Sequence, residues 1–191
     1  MAILPPTQTA IVGLEDGNLG VSLNVLLPEL EDDMVMVRNV AVALNPVDAK
    51  MTGHLAYPGA ISGMDFAGTI VAIGSKAQSS TPIKIGDRVT GAVHGMHPLT
   101  PRVGAFAEYV GATGFVTMKI PDNMSFEEGA TLGSGIGTIG LALFMSLEVP
   151  GYPTEPALKP KHVLVYGGST ATGTIAIQLL KLYAIHERRS S

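Results

Sequence analysis

The stretch that most constrains this chain runs from His162 to Gly173 and reads HVLVYGGSTATG. A short apolar run enters a glycine turn, and a helical pattern from Ile175 to Leu182 follows it. A strand, a glycine turn and a helix in that order open a dinucleotide-binding domain, in which the turn and the helix N-terminus hold a pyrophosphate. From His162 to Ser191 there is room for one strand, one turn and one helix. A doubly wound domain needs further βα units, so the expectation is a cofactor platform of which most is absent from this chain. The same point bears on what precedes it, because an α/β unit placed this late leaves a long N-terminal region with a fold of its own.

Composition narrows that region. Hydrophobic residues make up 46% and charged residues 15% of the 191, against about 25% charged in an average domain, so apolar material for a core is ample. The net charge of −4 and the lack of a basic stripe exclude a phosphate-neutralising nucleic-acid surface. There is no cysteine, which removes disulfides, thiolate zinc ligands and a cysteine nucleophile, and fits a cytoplasmic setting. The N-terminus, MAILPPTQTA, lacks the basic and apolar regions of a signal peptide. Residues 129–147 carry no charge and are long enough to span a bilayer, with Gly129, Gly133 and Gly137 at four-residue spacing. Five glycines in that stretch and the acidic Glu127-Glu128 flank argue for a soluble reading without a membrane.

Up to about residue 120 the chain is β-rich. Met34 to Val42, Phe66 to Ile73, Arg88 to Val93 and Ala105 to Val110 are candidate strands, bounded by glycine or proline, and suggest a partly closed barrel. Asn45-Pro46-Val47-Asp48 supplies an N-cap, a first-turn proline and an early acid for a short helix. Ser125-Phe126-Glu127-Glu128 is a capping box opening a glycine-rich helical region that runs toward Met145. Each glycine there costs about 0.5–1 kcal/mol relative to alanine. Close approach of a ligand or another backbone would offset that cost, and tight helix packing alone is the plainer account. Glu148 to Lys161 holds four prolines and reads as a surface linker.

Chemistry-bearing residues are few. In the turn, Thr170 stands where G-x-G-x-x-G has its second glycine, and the hydroxyls of Ser169, Thr170 and Thr172 are placed to donate to phosphate. Glu187 lies near the spacing of a ribose-binding acid, and Arg188 and Arg189 mimic a 2′-phosphate site, but all three sit in a charged tail. His94 and His97 look like a metal pair without a third ligand, so no metal is expected. Ser62, Ser134 and Ser169 lack a nucleophile-elbow context. Lys50 either faces a phosphate or developing enolate or is a plain surface lysine.

Leu44 to Lys50, Gly63-Met64-Asp65-Phe66-Ala67-Gly68-Thr69-Ile70-Val71, Gly86-Asp87-Arg88-Val89, Gly104 to Tyr109 and the glycine turn follow one another in this order. Together they resemble the medium-chain dehydrogenase/reductases. Gly63-Met64-Asp65 replaces the G-H-E of the zinc enzymes, and with no cysteine the chain is similar to the zinc-free branch of quinone and enoyl reductases. The 45–51 segment, His97 to Pro101 and Val163 to Thr172 resemble the fungal trans-acting enoyl reductases of the lovastatin type. The resemblance implies an α+β, GroES-like β-barrel catalytic domain over 1–124. A connecting helix and proline-rich linker would occupy 125–161, and the start of an α/β Rossmann domain (one strand, the glycine turn, one helix) 162–191.

It further implies NADPH as cofactor, touched by Val47, Asp48, Ala49, Lys50, Thr138, Thr170, Ala171, Thr172 and Gly173. Ile139, Gly140, Leu141, Ala142, Leu143, Phe144, Met145 and Ser146 would line the acyl channel. Lys50 is the candidate for electrostatic help in catalysis, and no residue stands out as proton donor. The implied reaction is hydride transfer from NADPH to an α,β-unsaturated thioester on the acyl carrier protein of a highly reducing polyketide synthase, by a monomer. Two alternatives stay open. One is a zinc-free quinone or alkenal reductase, and the other a non-catalytic binding protein in a chain too short for catalysis.

Overall fold

The computed structural model describes residues 4–78, 82–151 and 162–184. They divide into two compact units, 1–134 and 135–191.

The first unit is built on strands. β1 (Thr7–Gly13) and β2 (Leu19–Leu26) form an antiparallel hairpin. Its turn closes through Leu14 N–H to Asn18 O at 2.8 Å, with Gly17 at φ +82°. β3 (Met34–Ala43), β4 (Asp65–Ile73), β5 (Arg88–Ala92), β6 (Tyr109–Thr113) and β7 (Thr117–Lys119) form a second sheet in the order β6-β3-β4-β5-β7, antiparallel throughout. Val35, Val37, Phe66, Ile70, Val89, Val110 and Ala112 meet in its core, each 2% exposed or less. A smaller cluster of Ala10, Val12, Ile61 and Ala107 seats the hairpin. The hairpin is also tied by Ile11 N–H to Phe106 O (2.8 Å) and Ser62 N–H to Ile11 O (2.9 Å).

Three of the four expected strands fall within a residue of their expected bounds. The fourth does not: Ala105 to Ala107 is no strand, and β6 begins at Tyr109. Asn39 explains the difference. Its Nδ2 donates to the carbonyls of Ala105 and Ala107, both at 2.8 Å, so a side chain takes acceptors that a neighbouring strand would otherwise use.

α1 (Pro46–Lys50) forms where the N-cap and proline predict it. α2 (Phe126–Ala130) opens on the expected capping box, with Glu128 N–H donating to Ser125 Oγ at 3.1 Å and Ser125 N–H to the Glu128 carboxylate at 2.8 Å. α3 (Gly133–Gly140) follows and passes into a π-helical turn over Leu141–Ser146, which the periodicity did not suggest. By length and composition alone Phe126–Ser146 qualifies as a membrane span. Its start packs instead on the barrel, with Gly129 and Ala130 buried and Gly129 facing Ile120 and Ala67.

In the second unit, α4 (Ala171–Ala184) is the helix expected after the glycine turn. Its expected strand is absent, since residues 162–165 carry no regular structure. A strand exists only through its ladder, and among the described residues none pairs with this segment. Leu164 is 93% and Tyr166 100% exposed. Of the expected linker, residues 152–161 lie outside the described residues.

Candidate functional site

The first unit presents the 45–51 segment on a buried polar support. Pro46 starts α1 with no backbone N–H to satisfy, and the Asp48 carboxylate accepts the Asn45 N–H at 2.7 Å. Asp48 is 5% exposed. Burial raises its carboxyl above the usual range, the Asn45 hydrogen bond opposes the shift, and the nearby Asp65 charge adds to it. Of the expected cofactor contacts here, Val47, Ala49 and Lys50 are exposed, while the Asp48 side chain is turned inward and engaged by the turn itself.

Beneath this turn lies Asp65, at the start of β4 and 2% exposed. Its Oδ1 accepts both the backbone N–H and the hydroxyl of Ser134, each at 2.6 Å, and its Oδ2 accepts Asn45 Nδ2 at 2.8 Å. The preceding Gly63 has φ +94°, and a Cβ there would strike the Phe106 ring. Sequence reasoning noticed Asp65 only for what it replaces. Asn45 and Ser134 lie 20 and 69 residues away, so no local pattern announces the cluster.

The second unit holds the remaining expected residues. Thr138 is exposed on α3, and Ile139 and Gly140 are half-buried. In the π-helical turn Leu141 (58%) and Met145 (72%) are exposed and Leu143 is buried, while Ala142 and Phe144 are intermediate and Ser146 is exposed. Leu147 N–H reaches back to Ala142 O at 3.0 Å, the wider spacing of a π-turn, a geometry frequent at functional sites.

At the glycine turn Gly167 takes φ +81°. The Thr170 hydroxyl donates to Gly167 O (2.8 Å) and accepts the Gly173 N–H (3.0 Å), which makes it the N-cap of α4. What looked like a departure at the second glycine position is therefore a helix start, and a threonine three residues before Gly173 was the available signal. Gly173 is buried against Gly167, whose carbonyl a Cβ would meet. The first-turn N–H groups of Ala171 and Thr172 remain beyond the cap.

The helical glycines are explained in part by packing. Gly133 lies against the Gly91 backbone and Gly135 against Ile175, whereas a Cβ added at Gly137 or Gly140 would meet no described atom within 4 Å. His94 and His97 stack edge to face at 4.9 Å, and His97 Nδ1 accepts Leu99 N–H at 3.3 Å. Among the described residues no group of three His, Cys, Asp or Glu is placed to hold a metal. A 560 Å³ cleft between Met34, Val93, Gly111 and Arg102 includes none of the expected site residues.

The chain as a whole is similar to known proteins. The sequence pattern of the alcohol dehydrogenase GroES-like domain matches residues 31–122. Residues 31–122 are therefore a GroES-like domain of the alcohol dehydrogenase type. Trans-enoyl reductase FSL5 of Gibberella zeae is 64% identical over 182 residues, 95% of this chain and 51% of the relative. Trans-enoyl reductase caaB of Aspergillus niger is 53% identical, over 94% of this chain and 50% of its own length. An alcohol dehydrogenase superfamily protein from Novosphingobium aromaticivorans shares the fold, with a TM-score of 0.74 at 24% identity over 93% of this chain and 51% of that one. The chain thus spans about half the length of the curated relatives it matches.

Proposed function

We propose that this chain supplies the barrel and the first cofactor-binding turn of an NADPH-dependent enoyl reductase that acts in trans on a polyketide-bound α,β-unsaturated thioester. The observation that carries the reading is 64% identity across 95% of the chain to a protein named a trans-enoyl reductase. The residues present fit a dinucleotide. Gly173 has no Cβ to crowd Gly167 and Thr170 caps α4 from inside, and a helix N-terminus after a glycine turn favours an anion such as a pyrophosphate. Bound NADPH supplies the hydride. Val47, Ala49 and Lys50 offer an exposed edge for the cofactor, and the Lys50 ammonium stabilises negative charge on the thioester oxygen or on phosphate. Leu141 and Met145, exposed one helical turn apart, give the acyl chain an apolar surface. The partner is the acyl carrier protein of a highly reducing synthase, the working form is a monomer, and the setting is cytoplasmic.

The test is NADPH oxidation at 340 nm by the purified 191-residue chain with a crotonyl thioester, with a quinone as competing substrate, beside calorimetric titration with NADPH and NADH. Thioester-dependent oxidation with NADPH preference supports the proposal. Quinone turnover without thioester turnover would reassign the protein to the quinone reductases, and no binding of either nucleotide would reject cofactor-dependent chemistry for this chain.

A further inference from the structure

We propose that Asp65 is a positioning residue: its carboxylate holds the α1 turn and the first residues of α3 on the start of β4. All three of its donors are neutral, two from Ser134 and one from Asn45, and Asp65 forms no ion pair among the described residues. A carboxyl group buried without a cation has only its hydrogen bonds to offset the loss of water, so each donor matters. The site also demands a group that only accepts. An asparagine at 65 has one acceptor oxygen, and its NH2 would face a donor, either at Asn45 or at Ser134.

The turn it grips has little else to hold it. α1 is five residues long, with Pro46, Val47, Ala49 and Lys50 all exposed. Its own bonds are local: Asn45 N–H to Asp48 (2.7 Å), Met51 N–H to Val47 O (2.9 Å) and Thr52 Oγ1 to Ala49 O (3.1 Å). The next tie to the barrel is Gly53 N–H to Gly17 O at 2.8 Å, past the end of the helix. Asn45 to Asp65 is therefore the polar anchor at the leading end of α1. On its other oxygen, Asp65 occupies the N–H and hydroxyl of Ser134 at the start of the glycine-rich helix. One side chain thus sets two backbone segments against one strand end. The consequence for NADPH rests on the function proposed above; the grip itself does not.

Hydrogen exchange read by mass spectrometry on the 191-residue chain tests it, comparing wild type, Asp65→Asn and the reciprocal pair Asn45→Asp with Asp65→Asn. In the pair the carboxylate sits at 45 and accepts from the amide at 65. Asp65→Asn is expected to speed exchange at 44–52 and 131–137 by about tenfold or more, with 34–43 and 66–73 unchanged. The reciprocal pair is expected to restore protection at 44–52, which a general packing role would not predict. Unchanged exchange at 44–52 in Asp65→Asn would overturn the proposal. So would faster exchange throughout the barrel that the pair fails to correct. Ser134→Ala, which removes one bond at a site of its own, is expected to loosen 131–137 and leave 44–52 protected; loosening of both would refute two separable grips. In parallel, NADPH affinity is expected to fall about tenfold in Asp65→Asn and to recover in the pair. A wild-type chain that binds no NADPH would defeat the functional reading while the exchange data still decide the role of Asp65.

Discussion

Gly133→Ala asks whether the glycine-rich helix begins where backbone meets backbone. An alanine Cβ at 133 would lie 2.6 Å from the Gly91 carbonyl carbon, closer still to its oxygen, and 2.8 Å from Asp65 Oδ1. Relieving that overlap moves the helix start away from β5 by roughly 1 Å, because two backbones cannot yield as side chains do. The shift strains both Ser134 bonds to Asp65, now at 2.6 Å. Hydrogen bonds to a charged group contribute about 1.5–3 kcal/mol each, while alanine returns about 1 kcal/mol of helix propensity. A net loss of about 2 kcal/mol follows. Gly129→Ala is the control, since its Cβ would meet Ile120 methyls at 3.1 and 3.2 Å, which can rotate aside, and the Ala67 Cβ at an ordinary contact distance of 3.7 Å. Its change is expected to stay within about 0.5 kcal/mol. Urea unfolding followed by circular dichroism reads both. With slopes of about 1–3 kcal/mol per molar, the Gly133→Ala midpoint should drop by about 1 M and the Gly129→Ala midpoint should hardly move. Equal shifts, or a Gly133→Ala chain as stable as wild type, would refute the close approach.

Ser125→Ala removes the hydroxyl that caps α2 and is expected to cost about 1 kcal/mol in the same urea titration. Arg88→Met loses donors to Pro121 O (3.1 Å), Asp122 O (3.3 Å) and Met124 O (2.6 Å) and the contact over the Phe126 ring at 4.4 Å. A loss of about 2 kcal/mol, with faster exchange at 121–126, is the expected result. Asp48 binds its proton more tightly folded than unfolded, chiefly through burial. Its contribution to stability is therefore full below the ordinary carboxylate pKa and is lost as pH rises through the raised folded value. Asp48→Asn should flatten that part of the stability profile, and an unchanged slope would contradict the assignment. Zinc added to the chain is expected to leave the melting temperature unmoved, because His94 and His97 lack a third ligand among the described residues.

What the amino-acid order determined by itself is local. A proline after Asn45 starts α1, Ser125 and Glu128 close a capping box, and β-branched runs bounded by glycine become β3, β4 and β5. Glycines at 167 and 173 with Thr170 between them make the turn before α4. The caps and the turn rest on bonds between residues a few positions apart, so pattern and structure carry the same information there, whereas the strands are announced by their local composition and paired only by a ladder between distant segments. Tertiary structure decided the rest. Asn39 reaches across 66 and 68 residues to take the carbonyls of Ala105 and Ala107, and an apparent strand becomes a pinned loop. Val163 to Val165 has the composition of a strand, yet without a paired neighbour among the described residues composition forms no ladder. Asp65 shows the limit most plainly. Its identity was visible in the sequence, but its donors come from a turn and a helix that only the folded barrel brings to the same carboxylate.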